Sequence, residues 1–377
     1  MSATEPNAEL PVLSAGASST LQAIATIRRD SGTGKTSSGT PAGSSTREKS
    51  RSVSVRKPAT TEPPPEPSSL LFHEPWWLAA ATGGDYHQAI VTRGGQVVGR
   101  LPYVINRQRG FSVCQMPPFT HVLGPVVHPG AGKPQTVLLQ RLSIIREMID
   151  QLPQVSSFKQ ALGLSFADGL AFQDRGFQVT PQYTFQIDCR ENLETLWSEV
   201  HSKTRQHIRR AGEKFTIVTV DDAQTFINFY LDNVQRAGLR SFIDFTNFPA
   251  LFAAARERQC AEILCATGAT GKPVAMVFVV WGHGRMYYLL STRARDKDDN
   301  GSVNLLIWEG MQRAHKHGLV FDLDGVSTSG TARFLSGFGG GIALRLIVQR
   351  TSVTYGALRE VKRFLGRGKA DATFPFT

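Results

Sequence analysis

Several things are scarce in this sequence, and each scarcity narrows the chemistry. Of 377 residues only four are cysteines, Cys114, Cys189, Cys260 and Cys265, and no two stand in a CxxC pair. That spacing argues against a zinc site, so no metal is expected, and it points to a reduced, cytoplasmic chain. No apolar run approaches the roughly 18 residues that a membrane span needs. The start of the chain has no apolar core of the secretory kind. A transmembrane segment is therefore not expected, which leaves peripheral membrane association open. A phosphate-binding loop is also incomplete. Gly34-Lys35-Thr36 has the end of one, but Arg29 stands where the motif needs its first glycine.

What the chain does have is positive charge. Lys and Arg number 42 against 31 Asp and Glu, a net +11. Residues 1–69 hold 8 of the basic and 6 of the acidic side chains, so +9 falls on the other 308 residues. Such an excess favours anionic partners: a nucleotide, coenzyme A, tRNA or a phosphate-bearing envelope precursor. Residues 1–69 are dominated by Ser, Thr, Pro and Gly and end in Glu62-Pro-Pro-Pro-Glu-Pro67. That composition predicts a disordered tail.

The pattern beyond the tail alternates strands with helices, an α+β reading with mixed sheets. Strands are predicted at His87–Arg93, Val97–Asn106, Phe111–Met116, Val155–Ala161 and Gln178–Ile187, and helices at Pro75–Ala81 and Pro134–Leu152. A second unit opens with Glu191–Val200 and the basic helix His201–Lys214. It continues through the hairpin Val274–Trp281/Met286–Leu290 and a helix over Val303–His317, capped by Asn300 or Ser302. It then runs through the acid-tipped strand Leu319–Gly325 to a short helix at Ser329–Ser336, a strand at Ile342–Gln349 and a closing helix at Tyr355–Leu365 with basic residues outward. Ile90–Val104 is echoed about 176 residues later by Ala266–Val279. Each has a Gly-bearing turn, then Val and a small residue, Gly99 or Ala275. A small residue there lets another backbone come close. The echo predicts two copies of one fold, 70–187 and 188–350, with 351–377 as a C-terminal helix and tail.

Lys203-Thr-Arg205, Ile208-Arg209 and Ala211, the hairpin, Leu305–Trp308, Phe321-Asp-Leu-Asp-Gly325 and Phe334 with Phe338-Gly339 resemble, in order and spacing, the FemAB-like branch of the GNAT acyltransferase superfamily, over roughly Leu70 to Arg350. That resemblance implies two tandem GNAT-like domains, as in acetyltransferases associated with cellulose and other exopolysaccharides. It also implies transfer of an acyl group to an amine of a small molecule or cell-envelope precursor. Acyl-CoA is the implied donor, with aminoacyl-tRNA as the alternative. Two departures bear on the donor. Where a GNAT protein carries a glycine-rich pyrophosphate loop, this chain reads Arg295-Asp-Lys-Asp-Asp-Asn-Gly-Ser302, with one glycine and three aspartates. Where FemAB-like sequences carry a lysine, it has Leu335, with Arg333 as the nearest substitute. A GNAT fold that binds a partner without catalysis is the third reading.

Acyl transfer to an amine needs a proton acceptor, a donor to the carbonyl oxygen, and cations or helix-end N–H groups for phosphates. It needs no covalent nucleophile. Asp322 and Asp324, two apart on a strand, should share a face and supply the acceptor. Tyr288 is a candidate acid for the leaving group, and Tyr287 a substrate contact. Arg205 and Arg209, on one helix flank with Lys203 nearby, suit a diphosphate. Phe119 and His121, in the turn-rich Pro117–Pro125 loop, are placed at a pocket, and Arg333 at the donor end. One cleft between the two units is expected to gather them.

Overall fold

The computed structural model describes residues 69–108, 110–128, 130–163, 165–294, 301–325 and 328–366. The tail, the Gly34-Lys35-Thr36 stretch, most of the 295–301 loop and the last residues of the chain lie outside them. Among the described residues twelve strands form one sheet: β1 His87–Arg93, β2 Gln96–Gln108, β3 Phe111–Gln115, β4 Val126–Val127, β5 Ser157–Leu162, β6 Gln178–Asp188, β7 Thr216–Val220, β8 Ala261–Thr267, β9 Pro273–Gly282, β10 Arg285–Arg293, β11 Val320–Gly325 and β12 Gly341–Thr351. They lie in the order β1-β2-β3-β5-β12-β6-β11-β10-β9-β8-β7, with β4 pairing β2.

That order contains the repeat. β1, β2 and β3 are antiparallel, and β3 then pairs in parallel with β5. β8, β9 and β10 are antiparallel, and β10 pairs in parallel with β11. A helix precedes the parallel partner in each half, Pro134–Asp150 in the first and Ser302–Lys316 in the second. Gly99 and Ala275 lie under these helices. What comes close at Gly99 is a side chain, not the other backbone expected: a Cβ there would meet Ile144 at 2.5 Å, and Ala275 is wholly buried on the side where Leu306 and Ile307 pack. The fold is α+β, with two halves of the same strand-and-helix order in tandem.

The halves are not two sheets laid side by side. β6, the last strand of the first half, pairs with β11 of the second, and β12, the last strand of the second half, pairs with β5 of the first. β6 and β12 also pair with each other over nine residues. Each half therefore lends its final strand to the other. The sequence could not show this, because both strands carry ordinary strand patterns whichever neighbour they choose.

Helices cover both faces. On one, Ser202–Lys214, Ser302–Lys316 and Ser329–Ser336 bury Thr204, Ile208, Ala211, Leu306, Met311 and Leu335. On the other, Pro75–Thr82, Ala223–Arg236 and Phe248–Glu257 close over an aromatic core that includes Phe226, Phe248, Phe252 and Phe278.

Local differences from the sequence reading have physical causes. The Ser302–Lys316 helix has Gly301 at its N-cap, with no side-chain cap, instead of Asn300 or Ser302. Gly301 has φ +138°, and a Cβ there would stand 2.8 Å from the His207 carbonyl, so only glycine lets this helix end dock on the basic helix. A helix at Phe166–Gln173 was not expected, because Gly169 breaks its pattern. That glycine admits Leu346, which a Cβ would meet at 2.6 Å. The C-terminal helix, Val353–Gly366, starts two residues earlier than expected and shows Val353, Leu358 and Val361 to solvent as well as the basic Arg359.

Candidate functional site

The β10–β11 pairing is short. It runs from Arg285↔Val320 to Tyr287↔Asp322 and stops, although both strands continue. The two strands part where the acid-tipped sequence begins. Alternation along β11 sends Phe321 and Leu323 to the face of the basic helix and Asp322 to the opposite face.

Asp322 is 1% exposed, and partners surround both its oxygens. Thr184 Oγ1 donates to Oδ1 at 2.5 Å, and the Asp324 backbone N–H donates to the same oxygen at 3.0 Å. Gln186 Nε2 donates to Oδ2 at 2.8 Å, and Arg345 Nη2 lies 2.8 Å from it. Three of these partners come from the exchanged strands, Thr184 and Gln186 from β6 and Arg345 from β12.

Asp324 sits where the β11–β6 register shifts, and its φ of +58° is unusual for a residue with a side chain. Arg345 Nη1 donates to its Oδ1, and His121 Nδ1 lies 3.0 Å from its Oδ2. The His121 contact is close, but it falls short of an aligned hydrogen bond. Burial opposes ionisation of Asp324, but the neighbouring His121 and Arg345 outweigh it and hold the carboxyl well below the usual carboxylate range. Burial likewise opposes charge on Arg345, yet the two carboxylates hold it protonated.

A small cavity adjoins this cluster, lined by Leu70, Val122, Gln186, Arg285, Tyr287 and Arg345, among others. Tyr287 is 1% exposed, its ring 4.6 Å from that of Phe72, and burial raises its hydroxyl pKa. Arg285 Nη1 is buried there without a hydrogen-bond partner among the described residues. Arg285 of β10 and Arg345 of β12 gave no sequence signal, because an arginine in a largely apolar strand does not show which face it takes or what it will meet.

The structure thus brings together Asp322, Asp324, His121 and Tyr287. Phe119, in the same loop as His121, turns away at φ +56° and packs on Phe245 and Phe248. The other candidates lie elsewhere. Tyr288 packs with the opposite core, where burial pushes its hydroxyl up to about 12. Arg205 Nη1 donates to the carbonyls of Trp197 (3.1 Å) and Ser198 (2.8 Å), at the end of the Leu193–Glu199 helix. Arg209 lies over the Trp197 ring, 5.5 Å from its centroid. Lys203 is exposed on the same helix, and Arg333 is exposed on Ser329–Ser336. Leu335, in the family's lysine position, is 3% exposed and belongs to the apolar core. The single cleft expected from the sequence is therefore divided. Arg205 and Arg209 lie with the helices on one face of the sheet and Asp322 points to the other, with the parting of β10 and β11 between them.

All four cysteines are buried thiols, pushed up to about 12 (Cys114, Cys189) or about 11 (Cys260, Cys265) by burial. Among the described residues no group of His, Cys, Asp and Glu could hold a metal ion, and no helix is long and apolar enough to cross a membrane.

Comparison with known proteins places these features. Residues 198–333 match the acetyltransferase (GNAT) domain family. No curated protein matches the chain. Among solved structures, FemX superposes with a TM-score of 0.58 at 13% identity, covering 78% of this chain and 94% of its own. The C-terminal domain of a putative lysylphosphatidylglycerol synthetase from Agrobacterium fabrum gives 0.49 at 13% identity, over 77% and 90% of the two chains. A tandem GNAT protein from the clavulanic acid biosynthesis pathway gives 0.45 at 10%, over 71% and 83%. At such identities the likeness to FemX speaks for the fold alone. Residues 198–333 of this chain thus match the acetyltransferase (GNAT) domain family, and the chain has a fold like that of FemX.

Proposed function

We propose that the protein transfers an acyl group to the amine of a small molecule or cell-envelope precursor, at the point where β10 and β11 part. The observation that carries this reading is the end of parallel pairing at Tyr287↔Asp322, beside a buried carboxylate pair and inside the segment that matches an acetyltransferase domain. An acyl chain lying in the gap would have its phosphates on the face of the Ser202–Lys214 and Ser302–Lys316 helices. The positive end of the latter's dipole lies at Gly301, against the basic helix. Its carbonyl would reach the opposite face, where Asp322, Asp324, Tyr287 and His121 stand. The second half is the reactive one, because β5, the counterpart of β11, reads Ser-Phe-Lys-Gln-Ala-Leu and has no carboxylate.

Acyl-CoA is the donor in this reading, with Arg205, Arg209 and Lys203 near its phosphates and Tyr288 and Arg333 near the leaving group. Aminoacyl-tRNA is the second reading, favoured by the exposed Lys203, Arg210 and Lys214 along one helix, since a row of cations suits a polyanion. The full chain, titrated separately with coenzyme A, acetyl-CoA and charged tRNA, tests both. Binding and turnover of acetyl-CoA with an amine are expected. Binding of charged tRNA alone would move the donor to the second reading, and binding of none would make this a GNAT fold without catalysis.

A further inference from the structure

The arrangement of His121 and Asp324 differs from that of Asp322. Asp322 accepts from Thr184, Gln186 and a backbone N–H and lies against Arg345, so a proton could reach it only by breaking that set. His121 is otherwise placed. Its Nδ1 is buried 3.0 Å from Asp324 Oδ2. Its Nε2 is not among the buried, unpaired atoms and makes no hydrogen bond among the described residues, so it is the ring nitrogen that a solute can reach.

The backbone is bent to build this contact. His121 comes from the Pro117–Pro125 loop of the first half, and Asp324 from the end of β11 in the second. Asp324 holds φ +58° where β11 and β6 lose register between Asp322 and Gly325. A non-glycine residue held there is strained, which the surrounding structure must offset, and such a bulge re-aims a side chain. The re-aimed carboxylate divides its oxygens between Arg345 and His121. Asp324 also lies two residues past the last β10–β11 pair, at the gap between the strands.

We propose that His121 and Asp324 form a catalytic dyad assembled from the two halves, in which His121 Nε2 takes the proton of the acceptor amine while Asp324 holds the imidazole by its Nδ1 side. The proposal rests on the acyl-transfer reading above and adds the base to it. The free amine attacks the carbonyl carbon of a thioester or ester donor, and a C–N bond forms. One amine proton passes to Nε2. The C–S or C–O bond of the donor breaks, and the departing sulfur or oxygen takes that proton from Nε2, returning the ring to its neutral form. Asp324 is a positioning residue that fixes the tautomer with its proton on Nδ1.

Two measurements on the full-length chain test this. In 15N-histidine spectra, with the His121 signal identified by its loss in His121→Gln, the neutral ring should carry its proton on Nδ1, and Asp324→Asn should shift it toward Nε2. A wild-type ring protonated on Nε2 could accept nothing and would overturn the dyad. In turnover, with whichever of acetyl-CoA or aminoacyl-tRNA the wild type uses, His121→Gln should lower kcat by about 10²-fold or more with KM little changed. Free imidazole should restore part of the rate of His121→Gly, which lost packing alone would not allow. Full turnover by a folded His121→Gln overturns the proposal. A wild type that transfers from neither donor overturns the acyl-transfer reading, and the dyad's catalytic role with it, whatever the tautomer.

Discussion

Arg345, on the last strand of the chain, reaches across β6 to Asp322 and Asp324 on β11 and holds both carboxylates at once. The contact joins the two ends of the exchanged seam. Its charges are buried, with Arg345 2% exposed and Asp322 1%.

Removing the cation should therefore cost more than the pair contributes when intact. Arg345→Ala leaves two carboxylates in the interior without it. The expected loss is about 3–5 kcal/mol of stability, because breaking a buried pair strands an uncompensated charge. Urea unfolding checks this. The double change Arg345→Met with Asp322→Asn should recover part of the loss.

The reciprocal exchange of β6 and β12 predicts that neither half folds alone. A fragment ending near Asp188 would keep β6 but lack β12, which lies between β5 and β6. Residues 69–188 and 189–366, expressed separately, should be unfolded by circular dichroism, and mixing them should restore a cooperative transition. A stable, soluble 69–188 fragment would contradict this.

His73 links stability to pH. Burial, reinforced by the nearby Arg100 charge, lowers its pKa to about 3. The unfolded chain protonates it near 6.5, so between those values the unfolded state binds more protons. Its contribution is fully present above about pH 6.5 and is lost as pH falls toward 3, at no more than about 1.4 kcal/mol per pH unit. The slope of urea stability over pH 6.5–4 should be smaller in His73→Phe. An unchanged slope would assign the dependence to other groups.

Gly301 should be intolerant of change. Gly301→Ala drives a Cβ to 2.8 Å from the His207 carbonyl at a positive φ, whereas Gly271→Ala shares the positive φ but meets nothing within 4 Å. The first should destabilise by more than the about 1 kcal/mol typical of strain at such a φ, and by clearly more than the second. Because Gly301 seats the N-terminus of the Ser302–Lys316 helix on the basic helix, it should also weaken binding of a phosphate-bearing donor, readable by calorimetry.

The cysteines should be silent. With every thiol buried and its pKa pushed to about 11 or 12, little thiolate forms at neutral pH. Iodoacetamide should leave the native chain unlabelled over the time in which it modifies all four sites in denaturant, as intact mass would read.

The amino-acid sequence by itself determined the elements. Alternation and helical period placed the hairpin, the basic helix and the acid-tipped strand, and Gly99 with Ala275 marked the repeat, because these signals are local and need no partner. The carboxylates at Asp322 and Asp324 were legible for the same reason: two acids in an apolar strand are unusual wherever the strand lies. Tertiary structure decided the rest. Which strand pairs with β5 or with β11 depends on neighbours more than a hundred residues away, and a strand pattern does not name its partner. That choice carried Arg345 and Gln186 to the carboxylates, set Arg205 and Asp322 on opposite faces, and brought His121 from the first half beside Asp324 of the second. Burial on that seam, absent from any local pattern, gives these charges their low-dielectric surroundings and so their chemistry.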